Sequence, residues 1–428
     1  MRLAFIVQRY GPEILGGAEY LCRLTAERMA QRHDVEVLTT CARDYITWKN
    51  EYPEGPDRIR GVTVRRFAST ETRDIDAFNR YSDWIFRHPH TPEDELRWLR
   101  QQGPWCPALQ AYLERHHQSY EVLVFVTYLY APTVLGLRVA PERSILLPTA
   151  HDEPPIHLGI YREIFGLPTG IAFLTDVERR FVTTHFPVRA IAEETVGCGV
   201  DLLGGEGRER PTEAPAAADG PLHEPDLSAR RFEDDQPLPS HITGRGAVFR
   251  RRHRLHGPVV LYGGRIDPGK GCEELVEYFS AFVAQGGEAT LALMGLKLMK
   301  LPDEPYIRFA GLLSERERLH ALEAATVVVV PSPYESLSLL ALEAFAVGTP
   351  VLANARSEVL VEHCVQSNAG LYYADGDEFV EALTLLLSDA RLRTAMGRNG
   401  REYVKRNYRW DVVLSKYERM IAKVRSSR

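Results

Sequence analysis

Cysteine is scarce in this chain. Six are scattered at Cys22, Cys41, Cys106, Cys198, Cys272 and Cys364, with no Cys-x-x-Cys pair. That pattern suits neither a disulfide framework nor a zinc site, and reduced thiols in a cytoplasmic protein are the expected state. A basic excess is also missing. Lys and Arg number 52 against 58 Asp and Glu, a net charge of −6, so nothing drives generic nucleic-acid binding. Long apolar runs are absent too. The run 3–7 stops at Gln8-Arg9, too short for the core of a signal peptide. The segment 122–137 falls short of the ~18 apolar residues a membrane span needs, and Pro132 splits it. It reads as a buried strand followed by a short helix.

What is present is an ordinary globular composition, 44% hydrophobic and 26% charged, over 428 residues. That length is comfortable for two domains. The first half alternates strand and helix patterns. Strands are predicted at 3–7, 35–39, 62–67, 121–126, 144–147, 171–174 and 190–193, with an amphipathic helix over 18–32. Short apolar strands separated by helices point to a mostly parallel sheet. Residues 202–246 break the rhythm with Pro, Ala, Gly and many acids, which bury too little surface to offset ordering entropy. They read as a flexible acidic linker. The alternation restarts at Pro258, with strands at 259–262, 289–294, 307–309, 327–330 and 351–353. Helices are predicted at 273–283, 315–325, 336–346 and 378–387. The fold class is therefore α/β. Two Rossmann-like domains, 1–201 and 247–409, face each other across a cleft lined by loops at strand C-terminal ends.

Several short motifs are decoys. Gly264-Arg-Ile-Asp-Pro-Gly-Lys270 starts like a P-loop, but Gly271 stands where a Ser or Thr should hold Mg²⁺. The first strand is followed by Gly16-Gly17, not by a GxGxxG fingerprint. Asp74/Asp76 and Asp375/Asp377 form Asp-x-Asp pairs of the kind that holds a metal-bound nucleotide sugar in another fold. Asp377 is expected instead to cap a helix starting at Glu378. No metal-ligand cluster stands out.

Three loops carry chemistry. In the first, Gly16-Gly17 lets backbone approach a ligand, with a helix N-terminus behind it suited to phosphate. The second places Arg265 and Lys270 on a Gly-rich loop, a guanidinium and an ammonium able to clamp a diphosphate. The third runs from the strand 327–330 through a Pro-rich turn to Glu335 and a helix ending beyond Glu343. Eight residues at helical rise separate the two carboxylates by about 12 Å. Amides around Ser338 and Leu339 would face a diphosphate between them.

In combination these pieces resemble the retaining glycosyltransferases of family four, which have the GT-B fold. The matching residues are Gly16-Gly17-Ala18-Glu19, Gly199-Val200-Asp201, Gly264-Arg265…Lys270-Gly271, Glu335…Glu343 and Gly348-Thr-Pro-Val351, in the family's order. The resemblance implies that Glu335 contacts donor-sugar hydroxyls and Glu343 the ribose. It places Arg265 and Lys270 on the diphosphate, Gly17 near the same phosphates, and an N-domain histidine, His151, near the donor sugar. It also implies that the last helix, 410–428, crosses back to complete the first domain. The family's Glu-Gly-Phe-Gly-x-Pro is here Glu335-Ser-Leu-Ser-Leu-Leu, so Ser338 replaces a glycine.

The expected activity is transfer of a sugar from a nucleotide diphosphate sugar to an acceptor hydroxyl, with retention and with no metal or other cofactor. A nucleotide-sugar epimerase of the same fold and a silent nucleotide-sugar-binding module are the alternatives. The acceptor stays open: a glycan, a lipid-linked or a small molecule. Trp84, Trp98 and Trp105 suggest that 78–118 lines an acceptor site or simply packs. Arg87, Arg97 and Arg100 there would suit a peripheral contact with an anionic membrane surface.

Overall fold

A computed structural model describes residues 1–14, 16–201 and 244–428. The first sheet has strands β1 (Arg2–Ile6), β2 (Asp34–Thr40), β3 (Gly55–Ile59), β4 (Val62–Phe67), β5 (Val122–Val126), β6 (Ser144–Leu147), β7 (Gly170–Phe173) and β8 (Ala192–Thr195). Their order is β3-β4-β2-β1-β5-β6-β7-β8. Every pairing is parallel except β3 with β4. The sequence reading missed β3. Its residues, Gly-Pro-Asp-Arg-Ile, have no buried face, and its proline and charges suit an exposed edge.

The second sheet has strands β9 (Val259–Gly263), β10 (Thr290–Met294), β11 (Ile307–Gly311), β12 (Val327–Val330), β13 (Val351–Asn354) and β14 (Gly370–Tyr373). Their order is β11-β10-β9-β12-β13-β14, all parallel. The edge strand β14 had also escaped the sequence reading, because it has four residues and only Tyr373 is buried. In each sheet the chain order reverses beside one strand, β1 in the first and β9 in the second. Crevices beyond the strand ends at such reversals are where open α/β sheets bind ligands. The Gly16-Gly17 loop follows β1. The Arg265–Lys270 loop follows β9, and the Glu335 turn follows its neighbour β12.

Two expected boundaries move. The linker expected at 202–246 lies outside the described residues as far as 243, but 244–246 open the helix Gly244–Arg252. That helix docks because Phe249 is buried and Arg250 donates to the carbonyls of Ala324 and Gly257, both at 2.7 Å. The helix expected to start at Glu378 begins at Gly376. Asp375, not Asp377, caps it by accepting from the Glu378 amide at 2.9 Å. Asp74 likewise caps the helix Ile75–Ile85. Both Asp-x-Asp pairs thus have local structural work.

The last helix, Trp410–Ser426, lies on the first sheet. Val413, Leu414, Tyr417, Met420, Ile421 and Val424 are buried in a cluster that includes Leu3, Val124 and Ile145. Its polar edge is tied to the same domain: Lys416 donates to the Thr195 carbonyl at 2.9 Å, and Arg419 pairs with Glu194 at 2.8 Å. The chain thus passes from the second domain back to the first.

Candidate active site

The Glu335 turn is built by strain and buried hydrogen bonds rather than by a helix. The helix expected over 336–346 begins only at Leu339 and runs to Val347. Ser338 is its N-cap, held at φ 60°, ψ 77°, a left-handed conformation that favours glycine. The eight-residue helical rise between Glu335 and Glu343 therefore does not apply over its first half. Ser338 is buried, and its hydroxyl has no partner among the described residues. His363 braces the turn from the helix Glu358–Ser367. Its Nε2 meets the Leu337 carbonyl at 2.8 Å and its Nδ1 the Tyr403 hydroxyl at 2.9 Å. The neutral ring satisfies both contacts, donating to the carbonyl and accepting from the hydroxyl. Burial pushes its pKa down to about 4.

Lys270 reaches this turn from the loop after β9. Its Nζ donates to Glu335 Oε1 at 2.8 Å and to Ser332 Oγ at 3.3 Å. The loop closes tightly enough to bring Lys270 there because Gly271 adopts φ 72°. A Cβ at that residue would stand 2.3 Å from the Pro331 carbonyl oxygen. Arg265 pairs with Asp267 at 2.5 Å, and its guanidinium lies over the Tyr45 ring of the first domain, 5.6 Å from the centroid.

The first domain contributes from the facing side. Gly17 opens the helix Gly17–Met29, and a Cβ there would meet nothing within 4 Å, so a ligand can approach the backbone closely. Gly16 is different. A Cβ there would collide with Glu19, which is locked to Arg9 in a buried pair at 2.5 Å. His151 follows β6. Its ring stacks on Tyr334, 5.8 Å away across the cleft, and its Nε2 lies 3.4 Å from Glu153. Glu153 in turn accepts from the Tyr128 hydroxyl at 2.6 Å. Burial works against a charged His151, but Glu153 outweighs it and the pKa rises. The loop is anchored by Glu178, whose carboxylate accepts the amides of Ala150 and Leu174, both at 2.5 Å.

The structure thus brings Lys270, Glu335 and His151 together, with Ser338 and Leu339 at the start of the next helix, Arg265 on the Lys270 loop against Tyr45, and Gly17 at the start of the first-domain helix. Glu343 sits a helix turn deeper. It pairs with Arg318 at 2.5 Å, and burial pushes its pKa up to about 7 despite that partner. Glu178, Arg318 and His363 were missed by sequence reasoning. Each acts through a partner far away in sequence and leaves no local signature.

The side chains singled out in the 78–118 segment are not alike. Trp98 is buried and donates to Ser82 Oγ at 2.9 Å. Arg100 is paired with Glu71, and Arg97 lies over Tyr81 at 4.9 Å, so neither stands as a bare surface cation. Trp84 keeps an exposed face.

Known proteins resemble this chain over part of its sequence and over its whole fold. Residues 248–403 match the family model "Glycosyl transferases group 1". A GDP-mannose-dependent monoacylated alpha-(1-6)-phosphatidylinositol monomannoside mannosyltransferase of Corynebacterium glutamicum is 27% identical over 172 residues, 36% of this chain and 45% of that protein. A D-inositol 3-phosphate glycosyltransferase of Corynebacterium efficiens is 30% identical over 174 residues, covering 36% and 40%. The matched stretch thus spans less than half the length of these curated relatives. Over the whole of both chains, sucrose-phosphate synthase from Thermosynechococcus elongatus superposes with a TM-score of 0.67 at 17% identity. Anabaena HepE, solved with UDP and glucose, gives 0.64 at 15%, also over the whole of both chains. The fold is GT-B, and the match to the glycosyl transferases group 1 family lies in the second domain.

Among the described residues no helix is long and apolar enough to cross a membrane.

Proposed function

We propose that this protein transfers a sugar from a nucleotide diphosphate sugar to an acceptor hydroxyl, with retention at the anomeric carbon. One observation carries the reading. Lys270 and Glu335 meet at 2.8 Å at the strand ends of one domain, and His151 of the other domain stacks against the same turn. A cation for a leaving phosphate, a carboxylate for an oxocarbenium-like ring and a first-domain imidazole therefore converge on one point.

The breaking bond leaves negative charge on the diphosphate. Arg265, Lys270 and the amides at Ser338 and Leu339 stabilise it, joined by the Gly16-Gly17 loop, with no metal assigned a part. Lys270 exchanges its Glu335 partner for phosphate as donor enters. Glu335 then orients sugar hydroxyls and steadies positive charge on the ring. His151, whose pKa Glu153 raises against the effect of burial, donates to the sugar. Glu343 takes the ribose hydroxyls. The acceptor attacks from the face the diphosphate leaves, and the departing phosphate takes its proton.

The relatives' names support a hexose donor and a hydroxyl acceptor on an inositol-containing small molecule or lipid. A lipid-linked acceptor would place the protein in the cytoplasm against a membrane face. The test is incubation with a panel of UDP-, GDP- and ADP-hexoses with and without candidate acceptors. Acceptor-dependent nucleotide release with an α-linked product from an α-linked donor is expected. An inverted product, or binding without release across the panel and acceptors, defeats the reading.

A further inference from the structure

Glu343 does not stand alone. Arg318, on the helix Glu315–Ala324, donates through one nitrogen, Nη2, to Glu343 at 2.5 Å and to the Tyr20 hydroxyl at 2.8 Å. Tyr20 belongs to the helix that opens at Gly17, in the other domain. Two guanidiniums lie against the Tyr20 ring, with Arg318 at 4.9 Å and Arg23 at 5.2 Å from its centroid. Arg23 pairs in turn with Glu315, one turn before Arg318. The two helices are therefore joined by Tyr20–Arg318 and Arg23–Glu315, with the Glu343 carboxylate at the end of the chain of contacts. Arg318 Nε is buried without a partner among the described residues, so the guanidinium keeps a donor unspent.

We propose that Arg318 is the positioning residue for the nucleoside end of the donor site. It fixes the Glu343 carboxylate as an acceptor for the ribose hydroxyls. Through Tyr20 it ties that carboxylate to the helix behind the first-domain glycine loop. This rests on the reading of Glu343 as the ribose contact.

The groups facing Glu343 are Arg318 and Glu315 from their helix, Asp201 and Cys198 from the segment after β8, and Tyr20. Arg401 of the helix Ala390–Asn407 is engaged at the far end of Glu343's own helix, on the Val347 carbonyl at 3.3 Å. Arg318 is the one cation in this set at the carboxylate. The two acids and the burial all favour a protonated Glu343, so loss of the guanidinium leaves it neutral near pH 7.

Affinities of UDP, GDP and inorganic pyrophosphate, measured by calorimetry from pH 6 to 9, test this in the full chain. Arg318→Met is expected to weaken the better-binding nucleoside diphosphate about tenfold at pH 7, the scale of one charge-assisted contact, and to recover toward pH 9. Pyrophosphate affinity should not change. Arg318→Lys should restore most of the loss, and Tyr20→Phe should show a smaller loss of the same kind. Wild-type affinity and pH profile in both Arg318→Met and Tyr20→Phe would overturn the proposal. So would an equal loss of pyrophosphate binding, which marks a structural role. If Arg318→Met does not fold, Arg318→Gln takes its place, and wild-type affinity and pH profile in Arg318→Gln and Tyr20→Phe together would also overturn it. Glu343→Gln separates the two layers. Unchanged nucleotide affinity there removes the ribose reading itself, whereas a loss there with none in the Arg318 variants removes only the role of Arg318.

Discussion

In the second domain, the side chains that face the cleft are charged and already paired: Arg265 with Asp267, Lys270 with Glu335, Arg318 with Glu343. In the first domain they are mostly rings and bare backbone, Tyr20, Tyr45, His151 and the glycine loop, with Arg23 paired to Glu315 the charged exception. A nucleoside diphosphate presents the same charges whatever sugar it carries, so a donor half can be written as a few cations and carboxylates at fixed loops. An acceptor is met by shape. The match to the glycosyl transferases group 1 family, 248–403, lies in the charged half.

Removing the last helix would break the comparison most severely, because it joins the halves. Truncation before Trp410 strips six buried apolar side chains from the first sheet, each stabilising by ~1.5–3 kcal/mol. Loss of cooperative unfolding in a thermal melt is expected. An unchanged melting temperature would show that the first domain stands without it.

Next in size is Glu335→Gln, which tests the donor half at the reacting sugar. Turnover should fall by at least about 100-fold in a protein with a wild-type melt, the scale of one key electrostatic stabiliser. Near-normal turnover takes Glu335 out of the site.

Much of this was legible in the sequence. Apolar runs located all but two of the strands, and β12 was placed to the residue because Val-Val-Val-Val is bounded by Thr326 and Pro331. The edge strands β3 and β14 escaped because an edge needs no continuous apolar face. Glycine-rich loops after buried strands pointed to Arg265 and Lys270. The helix start near Glu335 was misplaced because local pattern does not show that Ser338 is held in a glycine conformation. Glu178, Arg318 and His363 work through partners remote in the chain, which only the fold brings near.

A smaller effect separates diphosphate from nucleoside recognition. Arg265→Ala and Lys270→Ala should each weaken nucleoside diphosphate binding by ~1.5–3 kcal/mol while barely affecting nucleoside binding. Calorimetry with UDP or GDP against uridine or guanosine decides. Equal losses for both ligands would move the clamp away from the phosphates.

The smallest effect concerns the bracing of the Glu335 turn. His363 is held neutral, with its pKa lowered from 6.5 to about 4. A base with a depressed folded pKa contributes stability above pH 6.5 that is lost as pH falls toward 4. The part lost between pH 6.5 and pH 5 is on the order of 2 kcal/mol. His363→Gln should be less stable at pH 7 yet lose less on acidification to pH 5 than the wild type. Parallel pH curves would show that His363 does not titrate this way.

The central claim is that both domains build one nucleotide-sugar site. The most direct measurement is a crystal structure with a UDP- or GDP-hexose that the donor panel shows to bind. The diphosphate is predicted between Arg265 and Lys270 and beside Gly17, the ribose on Glu343, and the hexose between Glu335 and His151. A nucleotide bound in the reverse direction, or touching only one domain, would contradict the account.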